Sequence, residues 1–199
     1  MLVVKRSKAA KEFADDLFRC AILERDPVAV NRALDFMPAD GILEYNSIKY
    51  PREFFAGVAA RAFNDTAAAL GSFTAARVIA EKIVRDQPNN GFAWSLLGQI
   101  DAGLGGKEDA VREGRRACEL VPTSKDAVLG LGLITNLATI YAWTGEKDWA
   151  LEQLAVSAQA PFGVHYGDLK LDPVWDSLRG DPRFEKIVAS LAPKETVSK

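Results

Sequence analysis

Four carboxylates crowd the segment near the C-terminal end of the chain: Asp168, Asp172, Asp176 and Asp181. Paired carboxylates can divide acid and base roles, or together hold a hard cation. Either use needs companions, and the surrounding residues supply none. His165 is the sole histidine, which excludes multi-histidine metal sites and leaves it as the one imidazole a catalytic triad could use. It follows Phe162 and Gly163 at a turn and precedes Tyr166, a setting that fits a local hydrogen-bonding or surface role. Asp172 and Asp181 each stand directly before a proline. That pairing opens helices, because Asp satisfies orphan amides and Pro suits the first helical position. Two of the four acids are thereby assigned to capping, and Arg179 and Arg183 are expected to pair with these acids or with helix ends. Cys20 and Cys118 lie in no metal-ligand or redox spacing and are expected as small buried apolar residues. "GLGG" at 103–106 lacks the lysine and the preceding strand of a phosphate loop, and no nucleotide-binding or nucleophile-elbow motif occurs. No catalytic residue, metal or cofactor is expected. A hydrolase built on the acidic cluster is the one enzymatic alternative.

The elements that hold these residues belong to an ordinary globular chain. It has 199 residues, about half of them apolar, and a formal charge of −2. A near-neutral balance argues against a nucleic-acid partner, since neutralising phosphates needs a basic surface. The basic run Lys5, Arg6, Lys8 and Lys11 reads as a solvated helix start. No apolar run approaches the ~20 residues of a membrane span, so no direct membrane insertion is expected. "MLVV" is too short for the apolar part of a signal peptide. A cytoplasmic location is therefore expected, or an extracytoplasmic one if a membrane span precedes this region in a longer parent protein.

Internal spacing is the strongest signal. Gly71 and Gly105 are 34 residues apart, as are Phe63 and Leu97, Ala60 and Trp94, Ala76 and Ala110, and Pro88 and Pro122. A third copy follows after a shift of six, through Ile134, Leu137, Ala138, Tyr141, Gly145, Ala150 and Leu154; "KDAVLG" is expected to lengthen its first helix. Each copy reads as a helical hairpin. In the second, Phe92, Leu96, Ile100 and Leu104 step by four, glycines 105 and 106 end the helix, and Pro122 ends the next one. In the first, the same reading has Gly71 ending the helix. Repeats are thus expected at 57–90, 91–124 and 131–164, about the minimum for a stable stacked array. Residues 165–199 are expected as capping helices and a tail, with Trp175, Leu178, Phe184, Ile187, Val188 and Leu191 covering the last hairpin. Residues 1–56 should form an N-terminal helical cap and connector. There an amphipathic helix over 8–25 uses Phe13, Leu17, Cys20, Ala21, Ile22 and Leu23, a second helix runs over 27–37, and 39–50 lies extended along the array or within its groove.

This pattern resembles the tetratricopeptide repeat family. The likeness is strongest over 91–124, where Trp94, Leu97, Gly98, Gly105, Ala110, Ala117 and Pro122 fall at the family's spacing. It covers 57–164, with Asp101 and Asn64 as departures. The ending L-x-L-x-P-x-W-D-x-L-R-x-D-P-R-F looks like the C-terminal region of bacterial signalling proteins, in which such repeats follow a kinase, a cyclase or a winged-helix domain. None of those domains lies in this chain. The resemblance implies one all-α domain over 1–199, a right-handed superhelix of antiparallel helical hairpins with helical caps at both ends. It implies a scaffold or regulatory module that binds a protein or peptide in its concave groove. On this chain the facing positions are Val58, Arg61, Asp65, Phe92, Ser95, Gln99, Thr135, Thr139 and Trp143. They lack the Lys/Asn/Arg arrangement with which some family members clamp a C-terminal carboxylate. Packing against the next hairpin is an alternative for Phe92 and Trp143, and self-association is an alternative for the whole module.

Overall fold

The computed structural model describes residues 13–43 and 48–193, the side chain of Leu43 excepted. The basic run at Lys5–Lys11, the first turn expected for the N-terminal helix, and the tail from 194 lie outside these residues. Among the described residues the chain is mostly helical, and its strands form a single two-residue ladder.

Helices α1 (Ala14–Leu23) and α2 (Pro27–Phe36) form the first pair. The Asp26 side chain accepts the amides of Val28 and Ala29 at 2.9 and 3.0 Å, and Pro27 fills the first helical position. The apolar face of α1 differs from the expected one. Ala14, Phe18, Ala21 and Ile22 are buried, whereas Phe13, Leu17 and Cys20 are exposed. Those four residues fall at i, i+4, i+7 and i+8, one helical stripe. Phe18 sets the rotation by packing edge-on against Phe55, with ring centroids 5.4 Å apart. Cys20 is therefore a surface thiol rather than a core residue. Next, β1 (Ile42–Leu43) pairs antiparallel with β2 (Lys49–Tyr50), Ile42 opposite Tyr50. Of the connector, 42–43 and 49–50 are extended while 44–47 lie outside the described residues, and Ile48 and Tyr50 enter the core beside Phe54 and Phe73.

Three hairpins follow: α3 (Arg52–Ala62) on α4 (Thr66–Asp86), α5 (Gly91–Gly103) on α6 (Lys107–Leu120), and α7 (Ala127–Trp143) on α8 (Lys147–Ala158). Each inner turn has one residue in the left-handed conformation: Asn64 (φ 61°), Gly105 (φ 83°) and Gly145 (φ 82°). Asn tolerates that conformation through its short polar side chain. Hence Asn64, not Gly71, is the counterpart of Gly105. Gly71 lies inside α4, the first hairpin begins at Arg52 rather than at residue 57, and Phe63 sits in its turn. The spacing of 34 still matches Pro88 to Pro122, because α4 and α6 end alike; α4 carries its extra length at the start, with 21 residues against 14. As expected, α7 is longer than α5, 17 residues against 13.

Close approach within hairpins depends on small residues. A Cβ on Gly57 would lie 2.6 Å from the fully buried ring of Phe73, and one on Gly98 would lie 3.0 Å from the Ala110 carbonyl oxygen. The C-terminal segment comprises α9 (Tyr166–Leu171), a 3-10 turn (Pro173–Leu178) and α10 (Pro182–Ser190). Trp175, Leu178, Phe184 and Val188 are buried among Leu137, Tyr141, Leu151 and Leu154 of the last hairpin. Asp172 and Asp181 cap as expected, each accepting an amide at 2.9 Å, from Val174 and Arg183 respectively. Among the described residues no helix is long and apolar enough to cross a membrane.

Candidate functional site

Helices α3, α5 and α7 each turn one face toward a shared cavity of about 460 Å³. Val58 comes from α3, Gln99 from α5, and Thr135, Thr139 and Trp143 from α7. A smaller space of about 280 Å³ adjoins it across Val58, Trp143, Asp172 and Val174, and Arg61 lines that one. Three of the facing positions lie elsewhere. Asp65 is not on α3 at all; it caps α4 by accepting the Ala68 amide at 3.0 Å. Phe92 is buried in the core shared by α4, α5 and α6. Ser95, 1% exposed, is a buried hydrogen-bond node that accepts from Asn136 Nδ2 at 3.0 Å and from Gln99 Nε2 at 3.4 Å.

The cavity has walls outside the repeats. Helix α1 contributes Asp15, Phe18 and Arg19, and the C-terminal segment contributes Asp168, Asp172 and Trp175. These two ends of the chain are tied directly, by Arg19 to Asp168 at 2.6 Å and by Arg25 to Asp176 at 2.7 Å. The N-terminal pair therefore does more than cover the first hairpin: it flanks the groove in cis. The described part of 39–50 lines neither space, and 44–47 lie outside the described residues. The acidic segment is accounted for as capping and ion pairing. Arg179 bonds Asp176 and the carbonyls of Leu169 and Asp172, and Arg183 bridges Asp181 and Asp148.

Asp172 is the exception within that segment. No cation lies within 4 Å of its carboxylate among the described residues, and burial pushes its pKa up despite the Val174 amide. Arg61 is its counterpart in the smaller space: half-buried, free of any ion pair among the described residues, with its guanidinium 4.7 Å from the centroid of Trp143. Burial moves its pKa down. The cation–π contact offsets part of that desolvation. Trp143 also packs on Phe73 at 6.0 Å, so this ring serves both the core and the cavity wall.

A second perturbed cluster joins residues of α4, α5 and α6. Arg77 grips Asp101 through Nε at 2.6 Å and Nη2 at 3.3 Å, and Glu113 is buried beside them with Oε2 unbonded. Burial, then the charge of Asp101, push the Glu113 carboxyl up to about 8. Among the described residues no group of three or more His, Cys, Asp or Glu is placed to hold a metal ion. The thiol of Cys118 is half-buried, and burial raises its pKa to about 11; neither cysteine forms a disulfide. His165 is exposed, and its amide donates to Asp168 Oδ2 at 3.4 Å.

Comparison with family models and with curated proteins finds no match.

Proposed function

We propose that the chain is a tetratricopeptide-type array, its hairpins stacked as a right-handed superhelix, that works as a non-enzymatic protein–protein interaction module. Its partner is an extended peptide or a segment of a partner domain bound on the concave face. The setting is the scaffold or regulatory part of a cytoplasmic bacterial signalling protein, as the C-terminal segment suggests by resemblance. One observation carries this reading: the first helices of three successive hairpins send Val58, Gln99, Thr135, Thr139 and Trp143 into one cavity. Preformed grooves of this size, with a few polar groups among apolar ones, suit ligand capture. Aromatic side chains in such a groove supply most of the binding energy. Backbone and small polar contacts then fix the direction of the peptide.

The test is selection of displayed random peptides on the intact chain, followed by titration of the selected peptides against a Gln99→Ala/Thr139→Ala variant whose helicity is unchanged. Loss of binding in the variant supports the concave face. Equal binding to both proteins places the working surface elsewhere and overturns the reading.

A further inference from the structure

The polar groups that line the larger cavity are unbalanced in two respects. Four carboxylates, Asp15, Asp16, Asp168 and Asp172, face a single cation, Arg19, and that cation is already bound to Asp168. Asp15, Asp16 and Asp172 have no cation within 4 Å among the described residues. Gln99 adds an independent sign. It is 8% exposed and lines the cavity, yet its one polar contact is Nε2 donating to Ser95, so Oε1 has no donor among the described residues. The side chain is largely buried, yet this oxygen is not sealed from solvent, so a donor entering the cavity can reach it. Thr139 spends its hydroxyl proton on the Thr135 carbonyl and likewise offers the cavity only lone pairs. This wall asks for a ligand rich in N–H donors and positive charge. Its apolar part fits the same ligand, since Phe18, Phe54, Phe55 and Trp175 also contribute. Aromatic faces attract cations, guanidinium above all. The chain provides its own example in the adjoining space, where Arg61 lies against Trp143.

We propose that this cavity receives the guanidinium or ammonium group of an arginine or lysine side chain in a basic partner peptide, with Asp172 as its principal counter-ion and Gln99 Oε1 as a further acceptor. The inference rests on the concave face being the peptide-binding surface. The charged head is held between carboxylates, and the aliphatic stem lies on aromatic side chains. Phe162, 69% exposed at the edge of the same cavity, offers apolar surface to the peptide flanking the anchor.

The experiment uses the full chain and the peptides selected from a displayed random library, titrated at low and high ionic strength. Each positive peptide is remade with citrulline in place of arginine, which keeps the shape and removes the charge. Free L-argininamide is titrated as the small-molecule form of the same group. Enrichment of Arg or Lys is expected, with roughly tenfold to hundredfold weaker binding for the citrulline peptide and for Asp172→Asn. Asn at 172 can still cap the following turn, and Asp15→Asn, on a different element, is expected to weaken binding in the same direction. Argininamide should compete with the peptide but bind far more weakly than it. Groove-dependent peptides that are neutral or acidic, or basic peptides indifferent to both Asp variants, would overturn the cationic anchor while leaving the groove in place. Argininamide binding as tightly as any peptide would overturn the peptide as the source of the group. Recovery of no peptide at all would remove the groove reading and this inference with it.

Discussion

Gln99, Glu113 and Gly57 show how single positions serve different ends in this chain. Gln99 lines the cavity with a carbonyl oxygen that no donor among the described residues occupies. Glu113 keeps an unpaired carboxyl oxygen in the wall of a hairpin, next to Asp101 and Arg77, with Arg112 3.7 Å away and Asp109 nearby. Its native pKa of about 8 exceeds the ~4.3 of an unfolded glutamate. Between those two values the native state holds a proton that the unfolded state has lost, so stability falls as pH rises through that window and levels off above it. Glu113→Gln should remove this slope. Urea denaturation is expected to show little gain at pH 5 and a gain of about 1–3 kcal/mol at pH 8; equal pH slopes in the two proteins would contradict the assignment. Gly57→Ala should destabilise by about 1–3 kcal/mol, because its methyl group meets the buried Phe73 ring. Chemical denaturation measures that loss, and an unchanged midpoint would mean that Phe73 can move aside.

At the scale of elements, the N-terminal pair is bound to the rest of the molecule by two kinds of contact. Apolar packing of Phe18, Ala21 and Val30 joins it to Ala59 and its neighbours on α3. Two exposed ion pairs join it to the C-terminal segment. Exposed pairs contribute only about 0–1 kcal/mol each and weaken with salt. Arg19→Glu/Arg25→Glu should therefore speed amide hydrogen exchange across α1 and α2 while leaving the midpoint of global unfolding nearly in place. Unchanged exchange would show that packing alone holds the pair. Much of the element structure is legible in the sequence, because its signals are local: Asp-Pro steps at 172 and 181 mark helix starts, and Gly105 marks a turn. The first hairpin was misread where chemistry allowed two solutions for one conformation. A left-handed turn residue can be Asn as well as Gly, so a glycine pattern points to Gly71 although the turn lies at Asn64. The face of α1 was misread because Phe13, Leu17 and Cys20 also make a plausible stripe, and only the contact of Phe18 with Phe55 decides between the two.

For the molecule as a whole, the closing of one end on the other shapes the site. Arg19 and Asp168, or Arg25 and Asp176, are about 150 residues apart in the chain, and no periodicity announces such pairs. Five of the nine facing positions meet in the larger cavity and Arg61 lines its neighbour, whereas Asp65, Phe92 and Ser95 serve the fold. The acids first considered for chemistry return in another role, with Asp168 and Asp172 as cavity walls. The proposed peptide lies against the first helices of the hairpins, α3, α5 and α7. Backbone amide chemical-shift mapping, with a selected peptide added to the isotope-labelled chain, tests this placement most directly. The shifts should gather at Val58, Gln99, Thr135, Thr139 and Trp143, with Asp172 and Phe18 affected beside them. Shifts confined to α4, α6 and α8, with those residues unmoved, would contradict it.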